Sequence, residues 1–303
     1  MDGKKELNGH LLAFITIFIW GTTFISTKIL LRTVSPVEIL FLRFTAGFIA
    51  LCLVYPHRLR VRDIKQEIYF AAAGLCGVTL YFLLENIALT YTLASNVGVI
   101  ISIAPFFTAI FAHFSEGEGL KLQFFAGFAA AMAGIFLLGF NGNNVLKLNP
   151  LGDILAVIAA AVWAAYSILT KKIGGFRYNT IQTTRRIFFY GLVFMIPALF
   201  IFGFKPDINR LAQPVNLLNI LFLGLGASAL CFVTWNSAVE ILGAVKTSVY
   251  IYLVPVITVV TSVMVLGEKI TGAAAVGIAL TLAGLLISEN RIAIKTKGDL
   301  ENE

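Results

Sequence analysis

The sequence predicts an all-α integral membrane protein whose ten transmembrane helices form two inverted five-helix repeats. Three observations lead there. Of the 303 residues, 58% are hydrophobic and only 13% charged, with 26 Phe and 26 Gly, far from the balance of an ordinary soluble domain. Apolar runs of about 20 residues, each long enough to cross a hydrocarbon core of about 30 Å as a helix, follow one another with short connections. The second half of the chain also repeats the first in register. The runs are continuous and do not alternate apolar with polar residues, so a barrel fits poorly.

The elements follow in order. Residues 1–9 read as a short extension carrying Lys4 and Lys5, and His10–Leu31 as the first helix. Its apolar run is too long for a secretory signal and no small-x-small cleavage site ends it. The second segment, Pro36–Tyr55, contains Arg43, and the third, Gln66–Leu89, contains Tyr81, Glu85 and Asn86. The fourth, Ala94–Phe114, is broken by Pro105, and the fifth, Leu120–Phe140, is rich in glycine and alanine. Leu151–Ile173 opens the second unit with Trp163, followed by Ile181–Gly203 with Arg186 and Val215–Val239 with Trp235 and Asn236. Ala244–Leu266 carries Pro255, Ile270–Glu289 is again small-residue-rich, and 290–303 form a tail.

At an offset of 150, Gly74 meets Gly224, Phe82 meets Phe232, Asn86 meets Asn236, Pro105 meets Pro255 and Thr108 meets Thr258. Upstream the offset is 143, pairing Trp20 with Trp163, Thr27-Lys28 with Thr170-Lys171 and Arg43 with Arg186. The difference falls between the second and third segments of each unit, where a change of loop length costs little. The units therefore span residues 10–140 and 151–289. Five is odd, so the second unit enters the membrane from the opposite face, the arrangement of alternating-access transporters.

Lys and Arg set the orientation. One side carries Lys4, Lys5, Arg58, Arg60, Arg62, Lys65, Lys121, Lys171, Lys172, Arg177, Arg291, Lys295 and Lys297; the other carries Arg32, Lys147, Lys205, Arg210 and Lys269. Both termini are expected in the cytoplasm and the chain in the cell membrane. This asymmetry accounts for the net charge of +7 without nucleic-acid binding. Cys52, Cys76 and Cys231 lie in separate spans, and His10, His57 and His113 are scattered, so neither a disulfide framework nor a metal site is expected. No phosphate loop or dinucleotide fingerprint appears, so no cofactor is expected.

The stretches "FIWGTTFISTK", "ALTYTLASNVGVIISIAPFFTAIFAHFSEGE" and "AVEILGAVKTSVYIYLVPVITVVTSVMVLGEKIT" resemble the EamA-type branch of the drug/metabolite transporter superfamily over about His10 to Ser288. The resemblance implies a ten-helix basket with a central substrate path, helices five and ten at the periphery, and export of amino acids or other small metabolites.

Candidate site residues follow from chemistry in the membrane. A buried charge there is costly and marks function. Glu85 is the only carboxylate more than a turn inside a predicted span. It lies about 6 to 9 Å below the outer end of its helix and Arg43 about 10 Å, so the two can pair as a static bridge or an outer gate. Glu85 can equally hold a substrate amine or a coupling proton. Arg186 repeats Arg43, whereas Glu85 is matched by Trp235 and Asn96 by Lys246; Lys246 can attract a substrate carboxylate or snorkel to the interface. Trp20, Trp163 and Trp235 can line the path or simply pack. Tyr81, Tyr250, Tyr252, Asn86, Asn96, Asn236 and Ser102 add polar groups, and Pro105 and Pro255 bend helices near the midplane. The reading is a secondary transporter, driven by the substrate gradient or exchange with a proton or counter-substrate. Rival readings are an integral-membrane enzyme acting on lipid, which keeps Lys28 and Glu38 in view, and a channel. The small faces "GFAAAMAG" and "GAAAVGIALTLAG" suit close packing within the chain or in a homodimer.

Overall fold

The computed structural model describes residues 3–91, 94–117, 122–138, 149–266 and 272–288. Among these every regular element is helical. Seven helical stretches are long and apolar enough to cross a membrane, and three shorter apolar helices fall within the fifth, ninth and tenth expected segments. Lys121, Lys147, Lys269, Arg291, Lys295, Lys297, the ends of the fifth and tenth segments and the tail lie outside the described residues.

Helix α1 (Gly3–Leu30) starts well before the expected His10. The sequence reading separated residues 1–9 on apolarity alone, but a helix need not stop where the hydrocarbon does, and Glu6 in the first turn suits the positive end of the helix dipole. Helix α2 (Pro36–Val54) opens with a complete capping box, Ser35 and Glu38 each satisfying the other's backbone, and with proline in its first turn.

The third expected segment is three pieces: α3 (Gln66–Gly74), a π-helical stretch (Leu75–Leu80) and α4 (Tyr81–Tyr91). The eighth repeats the arrangement as α11 (Pro214–Leu221), a π-helical stretch (Phe222–Leu230) and α12 (Cys231–Leu242), the short α10 (Ile208–Leu211) preceding it. The two widened stretches end at positions 150 apart. Each begins beside a glycine pressed on a neighbour's backbone. A Cβ on Gly74 would lie 2.6 Å from the Ile187 carbonyl, and one on Gly224 would lie 3.1 Å from that of Arg43.

The fourth segment breaks at its proline. Helix α5 (Ala94–Ile101) ends, a turn follows, and α6 (Ala104–Glu116) restarts with Pro105 in its first turn. In the ninth, α13 (Ala244–Ser248) gives way to a 3₁₀ stretch (Val249–Tyr252), and Pro255 sits in the first turn of α14 (Leu253–Leu266). Proline has no N–H to give the preceding turn and its ring crowds the carbonyl four residues back, so the α ladder lapses just ahead of each.

The remaining helices are α7 (Leu122–Leu138), α8 (Pro150–Gly174), α9 (Thr180–Ile201) and α15 (Gly272–Ser288). Helices α7 and α15 lie against each other along their length. Gly127 and Gly134 face the Gly284 and Gly277 carbonyls respectively. The small-residue faces are thus spent within the chain rather than left for a second copy. Elsewhere α1 packs on α12 and α14, α8 on α4 and α6, α2 on the second π stretch and α9 on the first.

Candidate functional site

Where α1, α4 and α8 meet the interrupted helices, they enclose a cavity of about 40 Å³. That volume holds a few waters, so the chamber is small, and it is partly open. Its walls are Trp20 and Thr23 from α1, Tyr81, Phe82 and Glu85 from α4, and Trp163 from α8. Ile101, at the end of α5, Ile251, within the 3₁₀ stretch, and Val254, in the first turn of α14, bring the two helix breaks to its edge.

The wall is dense with rings. Trp20 stands 5.1 Å from Trp163 and 5.2 Å from Trp235, and Tyr81 stands 4.8 Å from Trp163. The Trp20 indole donates to the Ala227 carbonyl at 2.8 Å, tying α1 to the second π stretch. The buried indole nitrogens of Trp163 and Trp235 have no protein partner. Trp235, fully buried, does not line the chamber but backs it. Behind them Tyr166 donates to Asn236 at 2.8 Å, and Asn236 in turn donates to Thr184 at 3.0 Å.

Glu85 is 4% exposed. The Tyr81 hydroxyl, one turn earlier on α4, is the polar side-chain group that bears on it. The expected Glu85–Arg43 ion pair does not form. Arg43 donates instead from Nε to Ser228 at 3.0 Å, its guanidinium lies 4.4 Å from the centre of the Phe82 ring, and Nη2 has no partner. Depth along the axis brought Arg43 and Glu85 to one level, but depth carries no facing, and Phe82 fills the place beside the guanidinium. The two charges still interact at longer range.

Arg186 is not beside the chamber. It bridges Glu67, at the start of α3, with Tyr190 donating to the same carboxylate at 2.8 Å. At the opposite end of the bundle Glu38 and Arg210 pair at 2.9 Å. Lys246, expected to attract a substrate carboxylate, pairs with Glu6 at 2.8 Å and lies away from the chamber. Both side chains are more than a third exposed, where such a pair contributes about 1 kcal/mol or less. Lys246→Ala should therefore leave the melting temperature within about 2 °C of wild type and the apparent KM for any transported solute within twofold. A tenfold rise in KM at an unchanged melting point would return Lys246 to the path.

Other sequence candidates are structural in their contacts. Asn86 donates to the Pro36 carbonyl at 3.3 Å, joining α4 to α2. Ser102, in the turn after α5, donates back to the Gly98 carbonyl of that helix. His10 and Tyr250 share a hydrogen bond of 2.7 Å. Tyr252 is buried facing Ser288. The Asn96 side chain lies outside the described residues. Thr23, Phe82 and Tyr166 were missed as candidates. Phe82 was visible as half of a repeated Phe82–Phe232 pair, but nothing in composition distinguishes one phenylalanine of 26. Among the described residues no cluster of His, Cys, Asp and Glu could hold a metal ion.

The family model of the EamA-like transporter family matches residues 7–140 and again 150–289. An Archaeoglobus fulgidus protein named "Uncharacterized transporter" is 28% identical, over 92% of this chain and 96% of its own. A "Probable terminal-alkyne amino-acid exporter" of Streptantibioticus cattleyicolor is 28% identical over 91% and 92%, and a "Probable amino-acid metabolite efflux pump" of Escherichia coli 24% over 91% and 93%. A solved crystal structure superposes with a TM-score of 0.75 at 22% identity, over 96% of this chain and 99% of that one, a likeness of fold alone. The chain belongs to the EamA-like transporter family. It is a multi-pass membrane transporter, not an enzyme.

Proposed function

We propose that this EamA-like transporter is a secondary exporter of amino acids or other small metabolites from the cell. Ten transmembrane helices form two inverted halves, residues 10–140 and 151–289, which rock about the chamber at Trp20, Glu85 and Trp163. Both termini lie in the cytoplasm. The observation that carries this reading is the chamber itself, a small space lined by both halves and bordered by both proline-linked helix breaks. Irregular backbone at membrane depth is tolerated where it borders a cavity rather than lipid, and discontinuous helices at the junction of repeats mark transport sites.

The packing supports it in a second way. α1 with α14 matches α8 with α6, and α2 with the second π stretch matches α9 with the first. Each contact joins one half to the other, so moving one half exchanges many contacts at once while α7 and α15 hold the periphery. Arg43 and Arg186 stand at corresponding places in this frame, and Glu85 is the candidate for proton or substrate coupling because no counterpart carboxylate exists in the other half. The names of the relatives favour metabolite export over a channel.

The test is access from the two sides. With Cys52, Cys76 and Cys231 replaced, Thr23→Cys places one thiol in the chamber wall. Alternating access expects a membrane-impermeant maleimide to label it in right-side-out and in inside-out vesicles, with added solute shifting the ratio. Labelling from one face under every condition would sink the proposal.

A further inference from the structure

Resting on the chamber being the transport site, we propose that its ligand is an organic ammonium compound, held by the Glu85 carboxylate within a cage of Trp20, Trp163, Tyr81 and Phe82. On this assignment the carboxylate of an amino acid has no cationic partner in the chamber, and a primary aryl-alkyl amine is a better ligand than the corresponding amino acid.

Lining charge is one-sided. Among the described residues Glu85 is the single carboxylate of the wall, and no Lys, Arg or His lines it. The other polar groups are the hydroxyls of Thr23 and Tyr81 and the indole N–H groups of Trp20 and Trp163, none of them charged; Thr23 already donates to the Trp20 carbonyl at 2.7 Å and Trp20 to the Ala227 carbonyl at 2.8 Å. A carboxylate offers about four acceptor positions, yet among the described residues the one hydroxyl that bears on Glu85 is that of Tyr81. An ammonium group brings three donors to the acceptor positions left over.

Nearby cations are directed elsewhere. Arg43 is the nearest candidate for an anion, but its guanidinium is stacked on Phe82, which is itself wall, and Arg43 does not line the chamber. Lys28 reaches the Leu89 carbonyl at 2.7 Å, and Arg186 and Lys246 are held by Glu67 and Glu6. An entering anion would therefore meet Glu85, ring faces and the neutral Trp163 indole N–H, with no cation to offset the carboxylate.

Those rings complete the assignment. Trp20–Trp163, Tyr81–Trp163 and Tyr81–Phe82 centroids lie 5.1, 4.8 and 4.7 Å apart, so the wall is a continuous π surface around one carboxylate. Ring faces carry negative quadrupole and attract a cation, most strongly when it is desolvated. They also suit the apolar body of an aromatic ligand, once the small chamber opens to admit it.

The protein carries its own reporter, because its three tryptophans all belong to this cluster. The full-length protein in detergent would be titrated at neutral pH with phenethylamine, L-phenylalanine and 3-phenylpropionate, which place an ammonium, both charges or a carboxylate on one skeleton. Intrinsic fluorescence reads binding, and counterflow of labelled phenethylamine in proteoliposomes reads transport. The expected result is saturable phenethylamine binding at least tenfold tighter than phenylalanine, with no saturation by phenylpropionate. Glu85→Gln should erase that preference, while Glu85→Asp, which keeps the charge, should retain it even if the Gln variant folds poorly. Equal or tighter binding of either carboxylate compound overturns the inference, as does binding of none of the three. Phenethylamine binding without counterflow would uphold the ammonium site and count against the transport reading, which the Thr23→Cys labelling judges on its own.

Discussion

Replacing Gly134 and Gly284 together by alanine is expected to lower the melting temperature by roughly 10 °C, whereas Gly98→Ala should leave it unchanged or slightly raised. A Cβ on Gly134 would lie 2.6 Å from the Gly277 carbonyl oxygen and from the Thr281 amide nitrogen, and one on Gly284 would lie 2.6 Å from the Gly127 carbonyl oxygen. These are backbone atoms, so no rotamer change relieves the clash and α7 and α15 must separate. Overpacking of this kind costs about 1 to 3 kcal/mol at each site. In lipid there is no hydrophobic driving force to press the helices back together, so the lost van der Waals contact is not recovered elsewhere. A Cβ on Gly98 meets nothing within 4 Å, leaving the gain of about 0.5 to 1 kcal/mol from the better helix former. Thermal unfolding followed by tryptophan fluorescence checks both. Equal melting of the double variant and wild type would mean that the two helices do not approach at these glycines.

The helical class, most element positions and the two break points were legible because they depend on properties the chain carries locally: run length, apolarity and a proline. That the fifth and tenth segments carry small faces for close packing was also readable, since glycine and alanine at helical spacing allow backbone approach, but not that α7 and α15 pack on each other rather than on a second chain. The π stretches were not. A uniformly apolar segment shows no periodicity against which one extra residue per turn could register, and the glycines beside them are common throughout this sequence. For the candidate site, sequence supplied the right chemical groups and part of their arrangement. Trp20, Trp163, Tyr81 and Glu85 do meet at the chamber. Arg43, Lys246 and Arg186 stood out in the sequence as charges within apolar segments, but their partners Ser228, Glu6 and Glu67 come from elements far away in sequence. A partner across the bundle is decided by which way a side chain faces, and that is a property of packing.

Arg43→Met alone should destabilise the protein, and Glu85→Gln in addition should restore most of the loss. The repeat shows why Arg43 is exposed to this effect. Its counterpart Arg186 is neutralised by Glu67, but the position corresponding to Glu67 in the other half is Leu217. Arg43 is thus left 2% exposed with one hydrogen bond, two aromatic neighbours and an unpartnered Nη2, and Glu85 is the opposite charge that it feels. Neutralising either charge leaves the other buried and uncompensated, which for directly bonded pairs costs about 3 to 5 kcal/mol. Arg43 and Glu85 are not in contact, so about 2 kcal/mol is expected for Arg43→Met. The double variant, with no buried charge at this level, should return to within about 1 kcal/mol of wild type. The coupling between the two substitutions in a double-mutant cycle should accordingly exceed about 1 kcal/mol and be favourable. The Glu67–Arg186 pair, whose arginine is 35% exposed, should show a smaller coupling, because water screens it. Additive losses for Arg43→Met and Glu85→Gln would mean that the two charges do not sense each other, and the rationale for their shared place beside the chamber would fail.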